Sequence, residues 1–145
     1  NCRYDGCNSL ISQLKNASIN WIPVCPEIEG GMPTPRLKSE FQDTASNILN
    51  TGKGILNEVG EDNADAFITG AKKSLQKISG QTVKYAILKS KSPSCGFEQV
   101  YDGSFSGKLI QGNGILTQLA MDAGIKVISS DDTEKWFELL DRKIK

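Results

Sequence analysis

The chain has 145 residues, enough to enclose one real core, which predicts a single domain over 1–145. Lys plus Arg and Asp plus Glu each number 17, so the formal net charge is zero, giving no electrostatic case for DNA or a membrane surface; no apolar run reaches the roughly 20 residues of a spanning helix. Histidine is absent, which excludes histidine triads, histidine metal ligands and the commonest general base near neutral pH.

The chain opens on Asn1-Cys2-Arg3-Tyr4-Asp5-Gly6-Cys7, followed by a short helix capped by Asn8 or Ser9 with Leu10, Ile11 and Leu14 on one face. A loop running straight into a helix is how a βα unit reads without its strand, so residues upstream of Asn1 are expected in the natural protein. Ile19 to Val24 reads as a strand, placed at an edge or an end by Pro23, and it delivers Cys25-Pro26-Glu27. Gly30 to Arg36 is too rich in glycine and proline for regular structure; Arg36 is a candidate for gripping a carbonyl or an anion. Lys38 to Leu49 is expected to be partly helical, and Ile55 to Val59 a short strand or hairpin arm. Ala64, Phe67, Ile68, Ala71, Leu75 and Ile78 keep helical spacing, predicting a helix from Asp62 or Asn63 to Ser79 with Gly80 just past its end.

Val83 to Leu88 is an apolar run that predicts a buried strand, and Lys89-Ser90-Lys91-Ser92-Pro93-Ser94-Cys95-Gly96 stops it. Pro93 lacks a backbone donor and restricts Ser92, while Gly96 permits a sharp turn. Val100 to Lys108 reads as a glycine-punctuated loop carrying Tyr101 and Phe105. Gln111-Gly112-Asn113-Gly114 leads into a helix ending near Gly124; its start resembles an anion-cradling N-terminus, although a plain cap is the simpler reading. Ile125 to Ser129 is a strand, and Asp131 to Glu134 imitates a capping box opening a last helix with Trp136, Leu139, Leu140 and Ile144. This alternation predicts a three-layer α/β/α fold with a mainly parallel sheet. Cys25 and Cys95 then lie at carboxyl ends of strands, on the edge where open sheets place ligand chemistry.

Four cysteines (Cys2, Cys7, Cys25 and Cys95) are too few and too dispersed for a secreted disulfide scaffold, and they point to reduced thiols in a cytoplasmic protein. Three chemistries fit the strand-end pair. One is a nucleophilic thiol beside Lys89 or Lys91, another a zinc site drawing on all four cysteines, and the third an iron–sulfur cluster with one iron left open. Spacing alone does not choose among them.

The segments Cys2-Arg3-Tyr4-Asp5-Gly6, Val24-Cys25-Pro26-Glu27, Gly30-Gly31-Met32-Pro33-Thr34-Pro35-Arg36, Lys89 to Gly96, and Tyr101-Asp102-Gly103-Ser104-Phe105-Ser106-Gly107 occur in one order. Together they resemble the 2-thiouracil desulfidase family over nearly the whole chain, departing from its usual Asp-Val-Thr at Asp62-Asn63-Ala64. The resemblance implies a non-redox enzyme that removes sulfur from a thiolated pyrimidine by means of a [4Fe–4S] cluster held by three cysteines. Two of these would be Cys25 and Cys95; the third would lie in a segment before Asn1. With no histidine available, Glu27, two residues from Cys25, is the candidate acid–base group; Ser92 and Ser94 are candidates for orienting water or substrate, and Arg36, Tyr101 and Phe105 for contacting the base. The rival reading is a zinc- or thiol-bearing module that binds a small ligand without catalysis.

Overall fold

A computed structural model describes residues 22–32, 37–79, 83–89 and 91–132, with 134, 135 and 138 beyond them. In chain order its elements are α1 (Pro26–Glu29), β1 (Ser39–Phe41), α2 (Ala45–Thr51), β2 (Ile55–Asn57), α3 (Ala64–Ile78), β3 (Tyr85–Leu88), β4 (Gln99–Tyr101), β5 (Leu109–Gln111), α4 (Ile115–Asp122) and β6 (Lys126–Ser129). The expected mixed α/β fold is present, with α3, β3, α4 and β6 where apolar periodicity places them. Strands β3 and β6 run parallel, with Ala86 opposite Val127 and Ile87 opposite Ile128. Parallel neighbours need a long crossover, and here it contains α4.

The core gathers Phe67 and Ala71 of α3, Ile115, Leu116 and Ala120 of α4, and Ile48 of α2. Phe41, Ile55, Leu88, Val100 and Val127 join them from the strands. Ile48, Ile55 and Ile115 expose no surface, and burying each contributes about 1.5–3 kcal/mol. The closest backbone approach joins α1 to α3. A Cβ on Gly70 would lie 1.7 Å from the Pro26 carbonyl oxygen, and one on Gly30 would lie 2.1 Å from that of Ala66. Only glycine at both positions lets the short helix rest on α3, and that contact fixes where Cys25 and Glu27 stand.

Two expectations change and one is refined. Of the strand expected at Ile19–Val24, residues 22–24 form none and 19–21 lie outside the described residues; Cys25 is instead the N-cap of α1, with Pro26 at the first helical position, where its missing N–H costs nothing. The stretch 38–49 is partly helical, as expected, with β1 preceding α2, because the Thr44 hydroxyl accepts the Asn47 N–H at 3.2 Å and starts the helix at Ala45. Upstream, Phe41 pairs with Ile55 in an antiparallel ladder. The stretch 100–108 is not all loop, since β4 and β5 form an antiparallel pair in which Val100 faces Ile110. Among the described residues, the one parallel strand pair is β3–β6, with an isolated parallel bridge between Lys91 and Val100 and antiparallel pairs at β1–β2 and β4–β5. Gly80 and most of the final helix lie outside the described residues.

Asp62 ties β2 to α3, its carboxylate accepting the Ala64 and Gly54 N–H groups, each at 2.9 Å. Partial burial pushes this carboxyl up, but backbone donors at Ala64, Gly54 and Ile55 and the charge of Lys53 outweigh it and hold the group below its ordinary value. A depressed folded pKa gives stability that is present above the unfolded pKa and lost as pH falls through the folded one. Asp62→Asn, which keeps an acceptor oxygen but loses the charge on an exposed group, is therefore expected to cost a few tenths of a kcal/mol, roughly, at neutral pH. In urea melts the gap from the parent should close below about pH 4.

Candidate active site around Cys95 and Glu27

The turn carrying Cys95 is built from backbone groups that a helix leaves over. Ser92 closes it from within: its Oγ accepts the Cys95 N–H at 2.9 Å and its carbonyl accepts the Gly96 N–H at 2.8 Å. From outside, the start of α4 meets it. Ile115 N–H donates to the Pro93 carbonyl at 2.7 Å, Leu116 N–H to that of Ser94 at 2.8 Å, and Gly114 N–H to that of Gly96 at 2.7 Å. The first N–H groups of a helix have no acceptor inside it; here the cysteine turn supplies the acceptors. The glycine-rich entry to α4 is thus a plain cap, with the N–H groups of 114–116 engaged by protein. A Cβ on Gly114 would stand 2.5 Å from the Ser94 carbonyl carbon and 2.6 Å from the Cys95 nitrogen, so glycine is required there.

Glu27 approaches the same turn from α1. Its carboxylate is buried, at 9% exposure, and its Oε1 receives the hydroxyl of Ser94, itself 2% exposed, in a long contact of 3.5 Å. Burial pushes the Cys95 thiol up to about 12, and the nearby Glu27 charge pushes the same way, against a hydrogen bond from Ser92 and the charge of Lys89. Glu27, Ser92, Ser94 and Cys95 therefore meet in one place. Cys95 is the free cysteine among the described residues.

Cys25 stands two residues before Glu27, half-buried, with its sulfur disulfide-bonded. Among the described residues no group of three or more cysteine and carboxylate side chains is close enough to hold a metal. The donors present are nevertheless soft. There is a buried thiol at Cys95, and Cys25 carries a second sulfur bonded to it. Sulfur donors of this kind suit iron–sulfur ligation once the disulfide is reduced and the thiols are deprotonated.

Tyr101 ends β4 half-buried, and Phe105 projects from the following loop with 38% exposure. Neither is hydrogen-bonded to the cysteine turn through its side chain, and Arg36 lies outside the described residues. Sequence reasoning missed Glu40, whose buried carboxylate holds the loop bearing Phe105. A charged residue beside Phe41, set opposite Leu56 in the pairing, was the available signal. It also missed a cleft of about 360 Å³ lined by Lys91, Phe97, Gln99, Ser129, Asp131 and Asp132, at the carboxyl ends of β3 and β6.

Comparison with known proteins shows the family to which the chain belongs. The model of the 2-thiouracil desulfurase family matches residues 1–132. The uncharacterized protein YbbK of Bacillus subtilis (strain 168) is 35% identical over 134 residues, which cover 90% of this chain and 89% of that one. A solved structure described as the [4Fe-4S]-dependent thiouracil desulfidase TudS superposes with a TM-score of 0.76 at 33% identity, covering 92% of this chain and 82% of that one. With the family model spanning the Cys25, Glu27 and Cys95 segments alike, the chain belongs to the 2-thiouracil desulfurase family.

Proposed function

We propose that this protein is a non-redox desulfidase that converts 2-thiouracil, or a closely related thiolated pyrimidine, into the oxo base and hydrogen sulfide with a [4Fe–4S] cluster bound. The observation that carries this reading is the meeting of a buried carboxylate, Glu27, with the Ser94 hydroxyl and the Cys95 thiol in a chain without histidine. Membership of the family and the likeness to a cluster-dependent thiouracil desulfidase support it.

Cys25 and Cys95, as thiolates, would hold the cluster. When bound, it supplies a Lewis acid that draws electron density out of the C=S bond. The chain's own residues then manage water and protons. The Glu27 carboxylate takes a proton from the water that attacks the thiocarbonyl carbon and returns it to the departing sulfur. The Ser94 hydroxyl, donating to Glu27 Oε1, keeps the carboxylate aimed at that water. Ser92 keeps the Cys95 turn in shape through its bond to the Cys95 N–H. The balance is C=S plus water giving C=O plus hydrogen sulfide, with no electron gained or lost.

The test is anaerobic purification of the natural full-length protein under a thiol reductant, with iron, zinc and acid-labile sulfide measured beside uracil release from 2-thiouracil. Iron with labile sulfide and stoichiometric uracil and sulfide are expected. Stoichiometric zinc without turnover would instead establish a zinc-bearing binding module.

A further inference from the structure

The loop between β4 and β5 is held by a group from another part of the chain. Glu40, in β1, is 6% exposed, and its Oε1 accepts the N–H groups of both Gly103, at 3.0 Å, and Phe105, at 3.1 Å. A buried carboxylate is costly unless donors surround it, and bonds to the ionised group are stronger than neutral ones. Gln42 adds a bond from its Nε2 to the Gly103 carbonyl at 3.0 Å. Gly103 presses so close to β1 that a Cβ there would lie 2.4 Å from the Phe41 carbonyl oxygen. The clamp holds Phe105 at φ +56, in the left-handed region that side-chain-bearing residues avoid, and leaves its ring 38% exposed. An aromatic ring kept out of the core at the expense of backbone strain is disposed for a ligand rather than for packing. The loop also lies one short strand from the cysteine turn: β4 ends at Tyr101, and its Val100 packs against Gly96, where an added Cβ would lie 2.8 Å from Val100 Cγ1.

We propose that Glu40 is a positioning residue that, through the 102–107 loop, sets the Phe105 ring to stack on the flat face of the thiolated pyrimidine. This assignment rests on the desulfuration reading above. The iron-loaded protein is compared with its Glu40→Gln, Glu40→Ala, Phe105→Ala and Glu40→Ala/Phe105→Ala variants, using 2-thiouracil. Losing one base-stacking contact is expected to raise KM about tenfold in Glu40→Ala and in Phe105→Ala, with kcat within about twofold of the parent. Glu40→Gln, which keeps one acceptor oxygen, should fall between, and the double variant should match Phe105→Ala. Amide exchange at Gly103 and Phe105 should accelerate in both Glu40 variants. Faster exchange with an unchanged KM would reduce Glu40 to a loop anchor and overturn the assignment, as would additive effects in the double variant. If Glu40→Ala does not fold, Glu40→Gln and Phe105→Ala decide the matter. Absence of turnover in the iron-loaded parent would overturn the desulfuration reading and this assignment together, whereas parental turnover with parental KM in the variants overturns the assignment alone.

Discussion

Glu27→Gln should lower turnover of 2-thiouracil by about 100-fold or more while leaving iron and labile sulfide at parental levels. Glutamine keeps the size of the side chain and an oxygen able to accept the Ser94 hydroxyl, so the buried seat on α1 stays filled. It removes the capacity to take up a proton from water. With no histidine in the chain and Glu27 buried beside Cys95, no imidazole is available to take over the step. Steady-state uracil release, measured beside the visible spectrum and a thermal melt, separates loss of chemistry from loss of fold. Parental turnover in Glu27→Gln would move the proton transfer to Ser92, Ser94 or a bound hydroxide.

Cys95→Ser should abolish both the cluster and the activity, and Cys25→Ser should do the same. A serine hydroxyl is a hard donor that stays protonated near neutral pH, whereas iron–sulfur clusters are held by thiolates. The fold should survive, because the bonds that shape the Cys95 turn come from backbone groups and from Ser92 rather than from the sulfur. Iron and sulfide analysis read against far-UV circular dichroism checks this: a folded Cys95→Ser protein carrying parental iron and sulfide would remove Cys95 from the ligand set. Because clusters are held by thiolates, loading should also require reduced cysteines, and protein kept oxidised should take up no cluster.

The parts of the fold legible in the sequence were those with a period. Ala64 through Ile78 repeats at helical spacing, and Tyr85–Leu88 and Lys126–Ser129 sit in apolar runs flanked by glycine or polar turns, so α3, β3 and β6 could be read directly. Three-residue strands have too few positions to show alternation, which hid β1 and β4 inside stretches read as helix or loop and left β5 unread. Cys25-Pro26-Glu27 was read as a strand end although Pro26 is a helix-start signal. The catalytic reading was unaffected, since Glu27 follows Cys25 by two residues either way. What no local pattern shows is the partnership of distant residues, such as Gly30 with Gly70, or Glu40 with the N–H groups of Gly103 and Phe105.

The docking of Gly114, Ile115 and Leu116 onto the Cys95 turn bears on portability and on timing. The Ser-Pro-Ser-Cys-Gly stretch does not carry its own shape. Grafted into another loop without the entry to α4, it would leave its carbonyls to water and its thiol without a fixed direction. During folding the turn stays incomplete until a helix beginning at Ile115 has formed and returned to it, a contact that closes a loop of intermediate length. Folding therefore has an order: α4 seats first, and the sulfur of Cys95 takes a fixed direction only afterwards.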